Sequence, residues 1–229
     1  MQTELHPELA ASLEKGWVRH PFVNANFHGL SWPNGMTQAE MLNAQFEEKT
    51  IAVANAREAG DWASYIFIHE RPWRIVALQE AMWEGNWRKV VPLVGDVWRD
   101  SENIRHHLDD WQSIWSDVLW SGHLRRTMTP YERRALRAMP ASLTVYRGVS
   151  HAEAVDGLSW TIDRAKGEWF ARRNAYDGSP ALLATGRVKK ADVLAYFAGR
   201  NEREIVAFPE NIERIDLSML TSELEALAA

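Results

Sequence analysis

The region that decides the fold lies just after the middle of the chain, where residues 142–161 read SLTVYRGVSHAEAVDGLSWT. Short apolar runs bounded by Gly, Asp or Ser are typical of β-strands. Similar runs continue toward the end of the chain. The pattern predicts six strands, over residues 143–146, 158–161, 181–188, 193–197, 204–208 and 212–217. One longer helix over 163–173 interrupts them, and an amphipathic stretch at 222–227 predicts a terminal helix.

The chain before Pro140 has a helical rhythm instead. Thr37 and Glu40 form a capping-box pattern before a long run that ends near Gly60. Other helical runs cover residues 62–70, 72–83, 87–98, 104–118 and 130–139. Helices followed by strands predict an α+β fold, with a helical region over 1–140 packed on a mostly β region over 141–229.

Composition narrows the class of protein. The 229 residues include no cysteine, which excludes disulfides and thiolate chemistry. The first residues lack a signal-peptide core, and no apolar run is long enough for a membrane span, so we expect a cytoplasmic protein. The net charge of −5 does not indicate a basic nucleic-acid platform. Twelve tryptophans, ten of them before residue 130, favour an aromatic core over a base-stacking surface, which would require exposed Arg or Lys beside them.

Three groups of residues could carry chemistry. Glu202 and Glu204 would share one face of a strand that continues into an apolar run, although such pairs are often solvated strand ends. Arg147 ends an apolar strand before Gly148, where it could bind a phosphate or carboxylate, or lie on the surface before a turn. Ser159 and Thr161 would alternate onto one face of their strand, with Leu158 and Trp160 on the other.

The order of these groups resembles the arginine–serine–glutamate clade of mono-ADP-ribosyltransferases, which includes bacterial toxins, phage transferases and vertebrate ecto-enzymes. The resemblance covers roughly residues 142–217 and is carried by Tyr-Arg-Gly at 146–148, Ser-x-Thr at 159–161 and Glu-x-Glu at 202–204. It implies an ADP-ribosyltransferase-like fold for residues 141–229 and NAD⁺ as a substrate. It also implies a macromolecular acceptor (protein, with arginine suggested by Glu202, or nucleic acid) and, for a toxin or phage effector, an antitoxin or inhibitor.

The resemblance also implies a role for each residue. Arg147, followed by Gly148, would hold the NAD⁺ phosphates. Ser159, with Trp160 and Thr161 in its strand, would position the catalytic carboxylate and the nicotinamide ribose. Glu204 would be the catalytic glutamate and Glu202 would face the acceptor. Phe170, or its neighbour Trp169, would stack on nicotinamide.

Two other functions stay open on the sequence. The same residues could hydrolyse NAD⁺ with water as the acceptor, or the domain could bind a partner without catalysis. No metal is expected, because His69-Glu70 begins a zincin-like motif whose second histidine is missing. No Gly-x-Gly-x-x-Gly or P-loop pattern occurs, so NAD⁺ would bind outside a Rossmann framework.

Overall fold

A computed structural model of the protein describes residues 4–85, 87–102, 104–175 and 178–220. The fold is α+β, as predicted, with helices and antiparallel sheets. The chain forms two compact units, residues 1–101 and 102–229. The predicted terminal helix at 222–227 lies outside the described residues.

The first unit combines helices with a small antiparallel sheet. Its elements are α1 (Pro7–Ala11), β1 (Leu13–Glu14), β2 (Trp17–His20), β3 (Val23–Asn26), α2 (Gln38–Ala59), α3 (Trp62–Ile68), α4 (Arg74–Glu84) and α5 (Trp87–Asp100). The prediction of a purely helical region over 1–140 is therefore wrong for residues 13–26. These strands are only two to four residues long. Such short strands carry too little periodicity to be recognised from the sequence. In the structure, Lys15 and Gly16 join β1 to β2 and both have positive φ, as a two-residue loop of type I′ requires.

The long helix α2 begins and ends as its sequence predicts. The side chain of Thr37 accepts a hydrogen bond from the backbone N–H of Glu40, and the Glu40 carboxylate accepts one from the backbone N–H of Thr37. At the other end Gly60 adopts a left-handed conformation with φ of 64°, which glycine tolerates without a steric penalty. The capping-box prediction is confirmed.

The second unit contains a six-stranded antiparallel sheet and three α-helices among its described residues. Its elements are α6 (Leu108–Trp120), α7 (Pro130–Ala138), β4 (Ser142–Val149), β5 (Ser159–Thr161), α8 (Arg164–Asn174), β6 (Leu182–Lys189), β7 (Ala195–Phe197), β8 (Glu204–Val206) and β9 (Ile212–Met219). The strand order is β7-β8-β5-β4-β6-β9, with every neighbouring pair antiparallel.

The boundary between the units lies between residues 101 and 102, earlier than the predicted boundary at residue 140. The reason is that α6 and α7 pack against the β7 edge of the large sheet. The ring of Trp115 on α6 lies 6.4 Å from that of Phe197 on β7. The carboxylate of Glu132 on α7 accepts a hydrogen bond of 3.1 Å from the backbone N–H of Ala198.

The tryptophans divide between core and surface. The buried ones are Trp62, Trp98, Trp111, Trp115 and Trp160, as a core interpretation predicts. Trp83 and Trp120 are instead 90% and 88% exposed, so the aromatic residues do not all serve the core.

A pair of glycines seats α8 directly on the sheet. A Cβ atom at Gly148 on β4 would lie 2.1 Å from the backbone nitrogen of Ala171 and 2.3 Å from the carbonyl oxygen of Gly167. A Cβ at Gly167 would in turn lie 2.8 Å from the Cβ of Tyr146. The glycine at position 167 therefore allows α8 to pack closely on the sheet. The helix and the strand can approach this closely only because both positions lack a side chain.

Candidate active site

Three neighbouring strands bring the predicted site residues together. In the order β8-β5-β4, Glu204, Ser159 and Arg147 lie on adjacent strands although they are far apart in sequence. They border one cleft of about 140 Å³. Its lining residues are Tyr146, Arg147, Gly148, Ser159, Trp160, Thr161, Phe170, Asn174, Glu202 and Glu204.

Glu204 is a carboxylate held at the start of a buried strand. Its strand β8 pairs with β5 on one side and β7 on the other, and the side chain is 5% exposed. The hydroxyl of Ser159 donates a hydrogen bond of 2.5 Å to Oε1 of Glu204. A hydrogen bond from a hydroxyl to an ionised acceptor is short and strong. It fixes the orientation of the carboxylate within the cleft.

Glu202 lines the same cleft, but its backbone conformation differs from the predicted one. It does not belong to the strand: its backbone is helical, with φ of −96° and ψ of −20°, and β8 begins only at Glu204. Arg203 between them has a left-handed φ of 47°, so the two-residue alternation that predicts a shared strand face does not apply. The prediction of a shared strand face is wrong, but both carboxylate residues line the cleft.

Thr161 anchors the segment that carries Glu202. Its hydroxyl donates a hydrogen bond of 2.6 Å to the backbone carbonyl of Glu202 and accepts one of 3.0 Å from the backbone N–H of Asp163. Asp163 in turn caps α8 by accepting from the backbone N–H groups of Ala165 and Lys166. One threonine therefore couples the Glu202 segment to the beginning of α8.

Arg147 is half-buried and holds a loop against β5. Its Nε donates to the carbonyl of Ala154 at 3.0 Å, and Nη1 donates to the carbonyl of Ser159 at 2.5 Å. Gly157 packs on the guanidinium so closely that a Cβ there would lie 2.3 Å from Nη2. A guanidinium has five N–H donors, so three remain after these two contacts with the described residues.

Burial and the neighbouring charges together shift the pKa of Arg147. Desolvation, reinforced by the positive charge of Arg105, lowers the pKa of Arg147 to about 10, while Glu204 and Asp156 act in the opposite direction. Since this pKa lies well above neutrality, Arg147 remains a cation at neutral pH. Because Arg147 lies near a second cation, Arg105, an anion beside both would stabilise their positive charges.

A second, smaller cavity also borders Arg147. It has a volume of about 40 Å³ and shares Arg147 and Ser159 with the first cleft. Its further lining residues are Ile104, Arg105, Leu108, Ala154, Asp156, Gly157 and Leu158. Arg147 and Ser159 thus border both cavities.

The remaining predicted residues also border the first cleft, with distinct contributions. The indole of Trp160 is buried and its N–H donates to the carbonyl of Gly157 at 2.9 Å. Gly148 lies at the cleft, but the close contact with α8 accounts for its lack of a side chain. Of the two aromatic candidates on α8, Phe170 is among the lining residues of the cleft, whereas Trp169 is not and is 48% exposed.

Two residues that line the cleft, Asn174 and Tyr146, are not among the site residues predicted from the sequence. Asn174, at the end of α8, donates a hydrogen bond of 3.0 Å from its amide to the carbonyl of Gly148. Tyr146 precedes Arg147 on β4, opposite Thr161 in the neighbouring strand. Asn174 has no local signal, since only the seating of α8 on Gly148 brings it to the cleft.

The described residues contain no group of three or more His, Cys, Asp or Glu side chains that could hold a metal ion. Within the same residues no helix combines the length and apolar character needed to cross a membrane. Comparison of the chain with models of protein families, with curated proteins and with solved structures found no match.

Proposed function

We propose that the protein transfers ADP-ribose from NAD⁺ to a macromolecular acceptor, using an ADP-ribosyltransferase-like sheet in its second unit. The observation that carries this proposal is the convergence of Arg147, Ser159 and Glu204, from three neighbouring strands, on one cleft. A cation, a hydroxyl and a carboxylate in this arrangement match the three tasks of the reaction: binding an anionic diphosphate, orienting a ribose and stabilising a sugar cation.

The carboxylate meets the main electrostatic demand. Breaking the bond between nicotinamide and ribose develops positive charge on the sugar, as in glycoside hydrolysis. A negative charge fixed beside that sugar stabilises the transition state without reorganising during the reaction. Glu204 is suited to this role because the Ser159 hydroxyl holds its carboxylate in place. Nicotinamide leaves as a neutral base, so the reaction needs no strong general acid.

Glu202 supplies a second acidic side chain in the cleft. It is half-buried, and Thr161 fixes its backbone. A carboxylate there can align an acceptor nucleophile and accept its proton as the new bond to the ribose forms. Glu204 and Glu202 would then act on opposite partners of the reaction, the sugar and the acceptor.

The anionic part of the dinucleotide would lie against Arg147. Arg147 borders both, remains charged at neutral pH and retains N–H donors beyond its two backbone contacts. Arginine is well suited to phosphate recognition because its donors form a planar fork. With the diphosphate at Arg147, the nicotinamide ribose would lie in the larger cleft beside Glu204. The ring of Phe170 and the edge of Gly148 would border the nicotinamide.

Transfer of label from NAD⁺ tests this proposal. The full chain is incubated in a cell lysate with NAD⁺ labelled in its adenylate part, and the product is divided between protease and nuclease treatment. We expect label in macromolecules for the wild type and its loss in Glu204→Gln. Glu213→Gln, an exposed glutamate on β9, is the matched control and should transfer normally.

Each alternative function has a distinct outcome in this experiment. Free ADP-ribose without labelled macromolecules would assign NAD⁺ hydrolysis instead of transfer. No product at all, together with no change in melting temperature on adding NAD⁺, would indicate a partner-binding domain, because a ligand that binds the folded state raises that temperature. A toxin-like role, with an antitoxin or other inhibitor as a partner, goes with transfer to a macromolecule and with neither of the two alternatives.

A further inference from the structure

A basic aromatic stripe runs along the exposed side of α8. It consists of Lys166, Trp169 and Arg173, which are three and four residues apart and therefore neighbours on one helix face. The Nζ of Lys166 lies 4.8 Å and the guanidinium carbon of Arg173 lies 5.2 Å from the centre of the Trp169 ring. Trp169 is nevertheless 48% exposed. An exposed tryptophan between two cations combines apolar and positively charged surface at one place.

The positive charge of this stripe is not neutralised by acidic neighbours. The helix carries four cations, two of which pair with Glu168: Arg164 at 2.9 Å and Arg172 at 3.9 Å. Among the residues that the structure describes, no ion pair joins a carboxylate to the Nζ of Lys166 or to the guanidinium of Arg173. The chain as a whole has a net charge of −5, so this local excess of positive charge is a distinct feature of the surface.

The stripe adjoins the lining of the candidate active site. The ring of Trp169 lies 5.0 Å from that of Phe170, at an interplanar angle of 73°. Phe170 lines the cleft. A molecule that contacts Trp169 would therefore lie next to a residue that lines the cleft.

We infer that this stripe docks a single-stranded nucleic acid, which would be the acceptor of the transferred ADP-ribose. This inference rests on the proposed function. Phosphates would lie against Lys166 and Arg173, and a base would stack on the indole, a combination typical of single-strand binding. An acidic protein surface would use the two cations but not the aromatic face. A duplex keeps its base faces stacked inside, so it would not use Trp169 either.

Binding of a labelled oligonucleotide tests the stripe independently of NAD⁺. Fluorescence anisotropy would be measured with fluorescein-labelled single strands of DNA and RNA of about 16 nucleotides, the upper end of typical site sizes. We expect Trp169→Ala to weaken binding about tenfold, as loss of one stacked base does. We expect Lys166→Ala/Arg173→Ala to weaken binding and to reduce the slope of log K against log salt by about 1.4, since each lost phosphate contact removes about 0.7.

The matched control is Arg134→Ala/Arg137→Ala on α7. It removes the same charge from two exposed helix positions three residues apart. Binding like the wild type in this control, with weaker binding in both stripe variants, supports the inference. Equal binding by all variants, equally tight binding of duplex, or label found only in protein would overturn it. Transfer of label from NAD⁺ to macromolecules of a lysate is measured in parallel, and its absence in the wild type would overturn the proposed function instead.

Discussion

Replacing Gly148 with alanine tests the packing that shapes the cleft. The added methyl group would lie 2.1 Å from the backbone nitrogen of Ala171, about 1.3 Å inside the lower limit of ordinary contact at 3.4 Å. The atoms that this methyl group would meet all belong to the backbone of α8, so no side chain can rotate away and α8 must move. Overpacking typically costs about 1–3 kcal/mol, and we expect about 3 kcal/mol here. In a chain of this size that lowers the melting temperature by roughly 6–12 °C.

Thermal unfolding followed by circular dichroism measures this effect, with Gly167→Ala as the contrasting variant. Its Cβ would approach the side chains of Tyr146 and Leu183 at 2.8 and 3.0 Å, while alanine adds about 1 kcal/mol of helix propensity. We expect Gly167→Ala to lose less stability than Gly148→Ala, because the gain of about 1 kcal/mol in helix propensity offsets part of an overpacking cost of about 1–3 kcal/mol. A Gly148→Ala protein as stable as the wild type would refute the close seating of α8 on β4, and with it the position of Phe170 at the cleft.

Further predictions concern the cleft and the first unit. Ser159→Ala removes the hydrogen bond to Glu204 and should slow nicotinamide release about tenfold or more, with stability lowered by about 1–3 kcal/mol in urea unfolding; unchanged release would exclude a role for this contact. Thr37→Ala should cost the first unit about 1 kcal/mol by the same assay. Burial lowers the pKa of His20 and of His69 below the ordinary value of 6.5, so the folded state favours the neutral imidazoles. The stability that they contribute is present above about pH 6.5 and is lost as the pH falls through the lowered folded-state pKa values; a melting temperature of the first unit that does not fall toward about pH 5 would contradict this.

Local sequence rules predict much of the sheet and of the site. The six strands of the large sheet and the helix at α8 follow from apolar runs and their boundaries, because each run is long enough to show its period. The convergence of Arg147, Ser159 and Glu204 is not a local property. It depends on strand order, which periodicity does not encode, and only the resemblance to a known order of motifs predicted it.

The predictions that are wrong share a physical cause. The three strands within residues 13–26 are too short to show a strand period in the sequence, and the left-handed backbone of Arg203 removes Glu202 from β8. The position of Asn174 at the cleft depends on a helix approaching a strand through two glycines. Such features arise from tertiary packing and single backbone conformations, which patterns of residue type do not specify.

The rate of nicotinamide release from NAD⁺ tests the central claim most directly, because it reports cleavage of the glycosidic bond whatever the acceptor is. We predict measurable release by the wild type, unchanged release by Glu213→Gln, and a reduction of about 10²–10⁴-fold in Glu204→Gln, which keeps the shape of the side chain but removes its charge. Release by Glu204→Gln at the wild-type rate, or none by the wild type, would contradict a sugar cation forming beside Glu204.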